Sequence, residues 1–261
     1  MDNTVETSAK QLLNKVPEIT LYFWIIKILA TTVGETAADF LNIDLHFGLA
    51  GTSTVMAGLL TAFLIAQVRA ERYRPALYWV TVVLISIAGT LITDNLTDTL
   101  GVPLQTTTLA FGLALALIFA IWYQRERTLS IHTIHTRRRE LFYWAAILFT
   151  FALGTAAGDL VAERMSLGYA NSALLFSAMI GAVALAYYAF RRNGVLAFWI
   201  AYILTRPLGA ACGDFLSQPA ADGGLAMGTV QTSVLFLAAI TSLVIYLSLT
   251  RKDITEQRIA P

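Results

Sequence analysis

Eight apolar segments of roughly twenty residues, separated by short polar links, constrain this chain more than any other feature. They run over about 17–41, 48–68, 75–98, 104–124, 140–163, 167–190, 195–217 and 224–250. A helix rises about 1.5 Å per residue, so each segment is long enough to cross about 30 Å of hydrocarbon. Helices also satisfy their own backbone polar groups, which lipid cannot do. The expected fold is therefore all-α and integral to a membrane, with eight transmembrane helices. Composition agrees: 57% of the 261 residues are hydrophobic and 13% charged, whereas soluble domains carry about a quarter charged residues.

The basic residues fall unevenly between the segments. Lys10, Lys15, Arg69, Arg72, Arg74, Arg125, Arg127, Arg137, Arg138, Arg139, Arg191, Arg192, Arg251, Lys252 and Arg258 all lie in the two tails or the even-numbered links. The opposite links hold only Arg164. The positive-inside bias then puts both termini in the cytoplasm, as an even number of spans requires. The expected organisation is a cytoplasmic tail at 1–16, helices one to four at 17–124, a basic cytoplasmic linker at 125–139, helices five to eight at 140–250, and a cytoplasmic tail at 251–261. The first sixteen residues lack the basic-then-apolar order of a cleaved signal peptide, so the first segment is expected to stay in the mature chain.

Tryptophan spacing exposes an internal repeat. Trp24, Trp79, Trp144 and Trp199 each stand near the start of an odd-numbered segment. Ten residues after each comes Gly34, Gly89, Gly154 or Gly209, and fifteen after each comes Asp39, Asp94, Asp159 or Asp214. The pattern Trp-x9-Gly-x4-Asp thus occurs four times, and residues 24–98 map onto 144–218 by a constant shift of 120. Four two-helix repeats in tandem follow, expected to sit around an axis along the membrane normal. Residues between glycine and aspartate are mostly small or hydroxylated. Even-numbered segments open with polar clusters: Thr52, Ser53 and Thr54; Gln105 and Thr106; Asn171 and Ser172; Gln231 and Thr232.

This arrangement resembles a bacterial membrane family defined by four tandem repeats of unknown function, each with two transmembrane helices and a tryptophan. KVPEITLYFWIIKILATTVGETAADF and ILTRPLGAACGDF carry the resemblance most specifically, and it covers about 17–250. It implies the fold and a place in the bacterial inner membrane. It implies no activity.

Each repeated residue has a structural and a functional reading. The tryptophans are expected to anchor helices at the membrane interface, and the glycines to let helices approach closely. The aspartates are either wetted at a helix end or functional. An acid is unfavourable beside a helix C-terminus, and ionisable groups within spans mark ion or proton paths. Glu35 and Asp39, Asp94 and Asp98, and Asp159 and Glu163 are spaced to share a helix face. Such pairs, with the hydroxyl and amide clusters, suit hard cations that prefer oxygen ligands. Repeat four departs from the pattern, with Ala210 and Gln218 at the matching offsets. Glu35 lies deeper than Asp39. Lys27 and Arg206 lie near mid-helix and are expected to pair with these acids, the alternative being contact with an anionic substrate. Pro207 after Arg206 permits a kink.

Other chemistry is excluded on simple grounds. His46, His132 and His135 fall in links, and two linker histidines make a poor metal site. Neither HExxH nor GxSxG is present, and no glycine loop cradles phosphate. One cysteine, Cys212, cannot form an intrachain disulfide. A formal net charge of +1 points to no nucleic acid. The sequence thus suggests neither an enzyme nor a cofactor. It suggests a secondary transporter or permease for a small cation, divalent or proton-coupled, with Glu35, Asp39, Asp94, Asp159 and Asp214 binding ions or protons. The alternative is a non-transporting membrane scaffold or partner subunit whose polar residues bind helices together.

Overall fold

The computed structural model describes residues 14–190 and 193–254. The expectations placed on the first thirteen residues with Lys10, on Arg191 and Arg192, and on residues 255–261 with Arg258 lie outside the described residues. Among these residues eight long helices follow one another: α1 Leu21–Asp39, α2 Gly48–Arg69, α3 Pro75–Asp94, α4 Leu104–Glu126, α5 Arg137–Asp159, α6 Tyr169–Phe190, α7 Gly194–Ser217 and α8 Thr229–Thr250. Among the described residues there is no strand.

Local chemistry sets the starts. The Thr20 hydroxyl accepts from the Phe23 N–H at 3.3 Å, and Thr136 does the same for Arg139 at 3.3 Å. The Asn193 side chain caps Leu196 at 3.2 Å. Each satisfies an N–H left free by the first helical turn. Pro75 opens α3, where no N–H is needed.

The ends share a device the sequence did not announce. Asp39, Asp94 and Asp159 are each followed by a π-helical turn, Phe40–Asp44, Asn95–Thr99 and Leu160–Arg164. The aspartates of the first three repeats are therefore not terminal, because helical hydrogen bonding continues for a turn beyond them. At one common offset further on, His46, Gly101 and Ser166 adopt φ of 55°, 66° and 55°, the left-handed geometry that reverses the chain. Repeat four instead ends α7 at Ser217 and returns through the 3-10 turn Ala220–Asp222. The helix runs through Pro207 without a break.

Packing arranges these helices in two shells. In the inner shell, α1 packs on α3 and α7, and α5 packs on the same two, so the odd-numbered helices form a closed ring. In the outer shell, α2 packs chiefly on α3, α4 on α5, α6 on α7 and α8 on α1. Each repeat's second helix thus leans on the first helix of the next repeat, and the last closes onto the first. Inner helices are buried on most faces. Outer helices bury narrow stripes at four-residue spacing, such as Thr52, Met56 and Leu60 on α2 or Thr107, Phe111 and Leu115 on α4. Their other faces are apolar and exposed, as at Leu109, Leu113, Leu117 and Leu174.

Among the described residues seven helices are long and apolar enough to cross a membrane. The exception is α1, which carries Lys27, Glu35 and Asp39. It also packs against three other helices of the bundle, and across that packing Glu35 meets Arg206.

Candidate functional site

The inner ring encloses a stack of layers, each built from equivalent positions of the four repeats. Starting one residue before each tryptophan and stepping by four gives five layers about 6 Å apart along the axis. The first is aromatic: Phe23, Tyr78, Tyr143 and Phe198. Each of these packs on the tryptophan of the next repeat. Ring centroids lie at 5.6 Å for Phe23–Trp79, 5.5 Å for Tyr78–Trp144, 6.3 Å for Tyr143–Trp199 and 5.7 Å for Phe198–Trp24. The contact cycles through all four repeats. This corrects the expectation of interfacial anchors: Trp79, Trp144 and Trp199 are core residues, and Trp24 is half-buried. Apolar area is better buried against the next repeat's ring than left at a surface.

The glycines cycle in the same sense. A Cβ on Gly34 would overlap Ser86, one on Gly89 would meet Phe151, one on Gly154 Arg206, and one on Gly209 Thr31. Those four partners occupy the same offset, seven residues after their tryptophans. The expected close approach of helices is thus present in every repeat, and a side chain at these glycines would separate the ring.

Arg206 occupies the centre. Its Nη2 lies within hydrogen-bond distance of Glu35 Oε2 at 2.7 Å, of Thr155 Oγ1 at 2.7 Å and of the Thr90 hydroxyl, three acceptors around its two N–H groups. Nη1 donates to the Thr31 carbonyl at 3.3 Å. Glu35, Thr90 and Thr155 all stand eleven residues after their tryptophans. Three repeats therefore present one equivalent side chain each to a guanidinium supplied by the fourth, whose own position is Ala210. Arg206 is fully buried and Glu35 7% exposed. The expected pairing of Arg206 with an acid holds for Glu35. In the sequence, Thr90 and Thr155 are signalled only by the hydroxyl-rich character of their segments. Aligning the repeats on Glu35 would have found both.

Lys27 departs from expectation. It is fully buried, yet its ammonium position has no hydrogen-bond partner among the described residues. Nζ stands 4.1 Å from the Phe151 ring centroid, across the ring on α5, and 4.3 Å from that of Tyr202 on α7. The helix rotation that brings Glu35 to Arg206 leaves Lys27 two turns away, among aromatic faces.

The aspartates form the last layer. Asp39, Asp94 and Asp159 are half-buried, and Asp214 is 8% exposed. All four stand fifteen residues after their tryptophans, at the same end of the inner helices. Among the described residues no three His, Cys, Asp or Glu side chains meet in a metal-holding group. The expected joining of the five acids into one ligand set is therefore corrected: Glu35 is taken by Arg206, and the aspartates stand one helical turn beyond it. The outer-helix clusters are also only partly as expected. Thr52, Ser172 and Thr232 are buried and Ser53 accepts from Asn95 Nδ2 at 2.8 Å. Thr54, Gln105, Thr106, Asn171 and Gln231 are exposed, because neighbouring residues on a helix point about 100° apart. Inward positions belong instead to Thr107 and Ser233, the latter bonded to Thr36 at 2.7 Å.

The tryptophan end is sealed by the chain before α1. Lys15 Nζ meets Glu140 at 2.8 Å and the Val68 carbonyl at 3.0 Å, and the Lys15 N–H donates to the Ile134 carbonyl at 3.0 Å. Beside it, Tyr73 donates to Asp253 at 2.6 Å, and His132 stands 3.5 Å from Glu18. Of the three histidines, His132 thus has a structural task, while His46 serves a turn.

Comparison with known proteins gives one match. The family described as Repeat of Unknown Function (DUF347) matches residues 22–73, 77–128, 142–193 and 197–253, one match for each helix pair. The chain belongs to that family. No curated protein and no solved structure matches.

Proposed function

Taking membership of the DUF347 repeat family as the starting point, we propose that this chain is a membrane-embedded permease for small cations or protons, held closed. The bilayer reading is supported by seven spanning-length apolar helices and by exposed leucines on the outer shell. Arg69, Arg72, Arg74, Arg125, Arg127 and Arg137 to Arg139 gather at the tryptophan end. That end then faces the cytoplasm, of a bacterial inner membrane, and the aspartates face outward.

One observation carries the reading. Four equivalent aspartates stand at the far end of the inner helices, one turn beyond Glu35, and no Lys, Arg or His forms a salt bridge with them among the described residues. Rings of acidic side chains draw cations into a pore, and unpaired acids within spans are costly unless they serve such a path. Behind them Arg206 and Glu35 close the axis as a neutral pair, and the aromatic layer closes it again.

The test is cation-dependent thermal stability of the purified chain, together with flux into proteoliposomes. Binding raises apparent stability by about 2.7 kcal/mol at a hundredfold excess over Kd. Some member of a panel of mono- and divalent cations should stabilise the protein, and the combined Asp94→Asn, Asp159→Asn and Asp214→Asn variant should lose the effect while remaining folded. If no cation stabilises the chain and no flux is seen, the permease reading fails. A scaffold is the second reading, favoured by the glycine contacts that make the inner ring close-packed.

A further inference from the structure

At the tryptophan end, the link from α2 to α3 borders a cavity of about 780 Å³. Arg69, Arg72 and Arg74 line it, together with Glu71 and the apolar Ala66 and Leu77. Three guanidinium groups against one carboxylate leave the walls positive by two charges. The core holds this arrangement in place. Tyr73 is buried, and its hydroxyl donates to Asp253 at 2.6 Å, which pins the middle of the link. Successive side chains of an extended chain point to opposite sides, and Arg74 has that geometry, with φ −130° and ψ 111°. Tyr73 turns inward, while Arg72 and Arg74 are exposed at the cavity. Arg69 joins them from the last turn of α2.

Basic residues are general at this end, but they are used differently from place to place. Arg138 and Arg139 each meet Glu126, at 3.1 Å and 2.9 Å. Arg69, Arg72 and Arg74 form no salt bridge among the described residues. Like charges gathered in one concavity repel, and an anion between them turns that cost into attraction.

The cavity also borders surface that suits hydrocarbon. Ile65 lies four residues before Arg69, and Val80 four after Ala76, so each shares a helix face with a residue of the cavity wall. Both are exposed, at 46% and 41%. From the link towards the middle of the helices, α2 and α3 thus present charge first and apolar surface next. A free phosphate would use only the first part, whereas a phospholipid uses both.

We propose that this cavity binds the phosphate headgroup of an anionic phospholipid, with Arg69, Arg72 and Arg74 on the phosphate and the acyl chains along Ile65 and Val80. Planar guanidinium groups match phosphate oxygens in a fork, and basic pockets between transmembrane helices take such headgroups. The site stands whether or not the chain passes cations.

The test uses the whole chain, purified in nonionic detergent, stripped of lipid and titrated with phosphatidylglycerol at about 0.15 M salt, where fields reach only about 8 Å. Retained lipid is counted by native mass spectrometry, and thermal unfolding is followed in parallel. Phosphatidylglycerol should be retained and should raise the unfolding temperature. Phosphatidylcholine, which has the phosphate and the chains but no net charge, should bind about tenfold more weakly. A basic side chain beside an anionic lipid is worth about fivefold in affinity. The combined Arg69→Gln, Arg72→Gln and Arg74→Gln variant should therefore lose about a hundredfold. The combined Arg125→Gln, Arg127→Gln and Arg137→Gln variant removes equal charge from the same end, and its affinity should stay within about twofold. Arg72→Gln alone should lose about fivefold, which keeps the test available if the first combined variant does not fold. Equal losses in the two combined variants, or phosphatidylcholine bound as tightly as phosphatidylglycerol, overturn the site. Inorganic phosphate that stabilises the chain as well as the lipid does, at equal concentration, overturns the lipid as its ligand. None of these readings needs flux, so the permease reading can fail while the lipid site stands.

Discussion

The sharpest test of the axial site is a double-mutant cycle on Arg206 and Glu35. Arg206 has four acceptors within hydrogen-bond distance, and the only charged one among them is Glu35. Glu35→Gln keeps an acceptor oxygen near Nη2 and leaves the threonines and the Thr31 carbonyl in place. Its cost should fall at the low end for a broken buried ion pair, about 3 kcal/mol. Arg206→Met keeps much of the volume but strands a carboxylate whose remaining partner is the Thr90 hydroxyl at 3.4 Å. That should cost nearer 5 kcal/mol. With both changes neither member of the pair is left charged without the other, and buried pairs replaced by neutral groups are often close to neutral overall. The double variant should therefore be more stable than either single one, which with these single costs means a coupling energy of roughly 5 kcal/mol or more. The assay is reversible unfolding of purified protein in mixed micelles, followed by tryptophan fluorescence. Strictly additive effects, with coupling below about 0.5 kcal/mol, would refute the claim that these side chains act as one unit at the ring centre.

Position should decide the effect of glycine substitutions. Gly154→Ala drives a methyl into the Arg206 stem and should cost about 1–3 kcal/mol by overpacking, whereas Gly58→Ala on α2 meets nothing within 4 Å and should be neutral or stabilise by about 0.5–1 kcal/mol. Equal effects in thermal unfolding would show that the cyclic contact does not hold the ring. The seal before α1 should loosen as pH rises. The hydrogen bond and charge of Glu18 hold His132 above its ordinary range, so its stabilisation is complete below about pH 6.5 and is lost as pH climbs through the raised value. Hydrogen exchange at residues 14–18, corrected for intrinsic rates, should quicken over that rise, and His132→Ala should flatten the profile. Exchange that slows instead would reverse the assignment.

Helix number, repeat boundaries and the contact role of the glycines were legible in the chain, because they depend on local periodicity and on spacing that recurs fourfold. Apolar runs of spanning length and Trp-x9-Gly-x4-Asp need no knowledge of which helix lies beside which. The partners of individual polar residues were not legible. Glu35 and Lys27 are eight residues apart on one helix, yet one meets Arg206 and the other meets two aromatic rings. Thr90 and Thr155 looked like any small residues between glycine and aspartate until three repeats converged on one guanidinium. The tryptophans had the composition of interface anchors and became core, since each is covered by the aromatic residue of the preceding repeat. These outcomes turn on the closure of α8 onto α1 and on the rotation of each inner helix about its own axis. Both are fixed by contacts between residues 50–200 positions apart in sequence. A sequence specifies the face a helix can present; only the closed ring determines what that face meets.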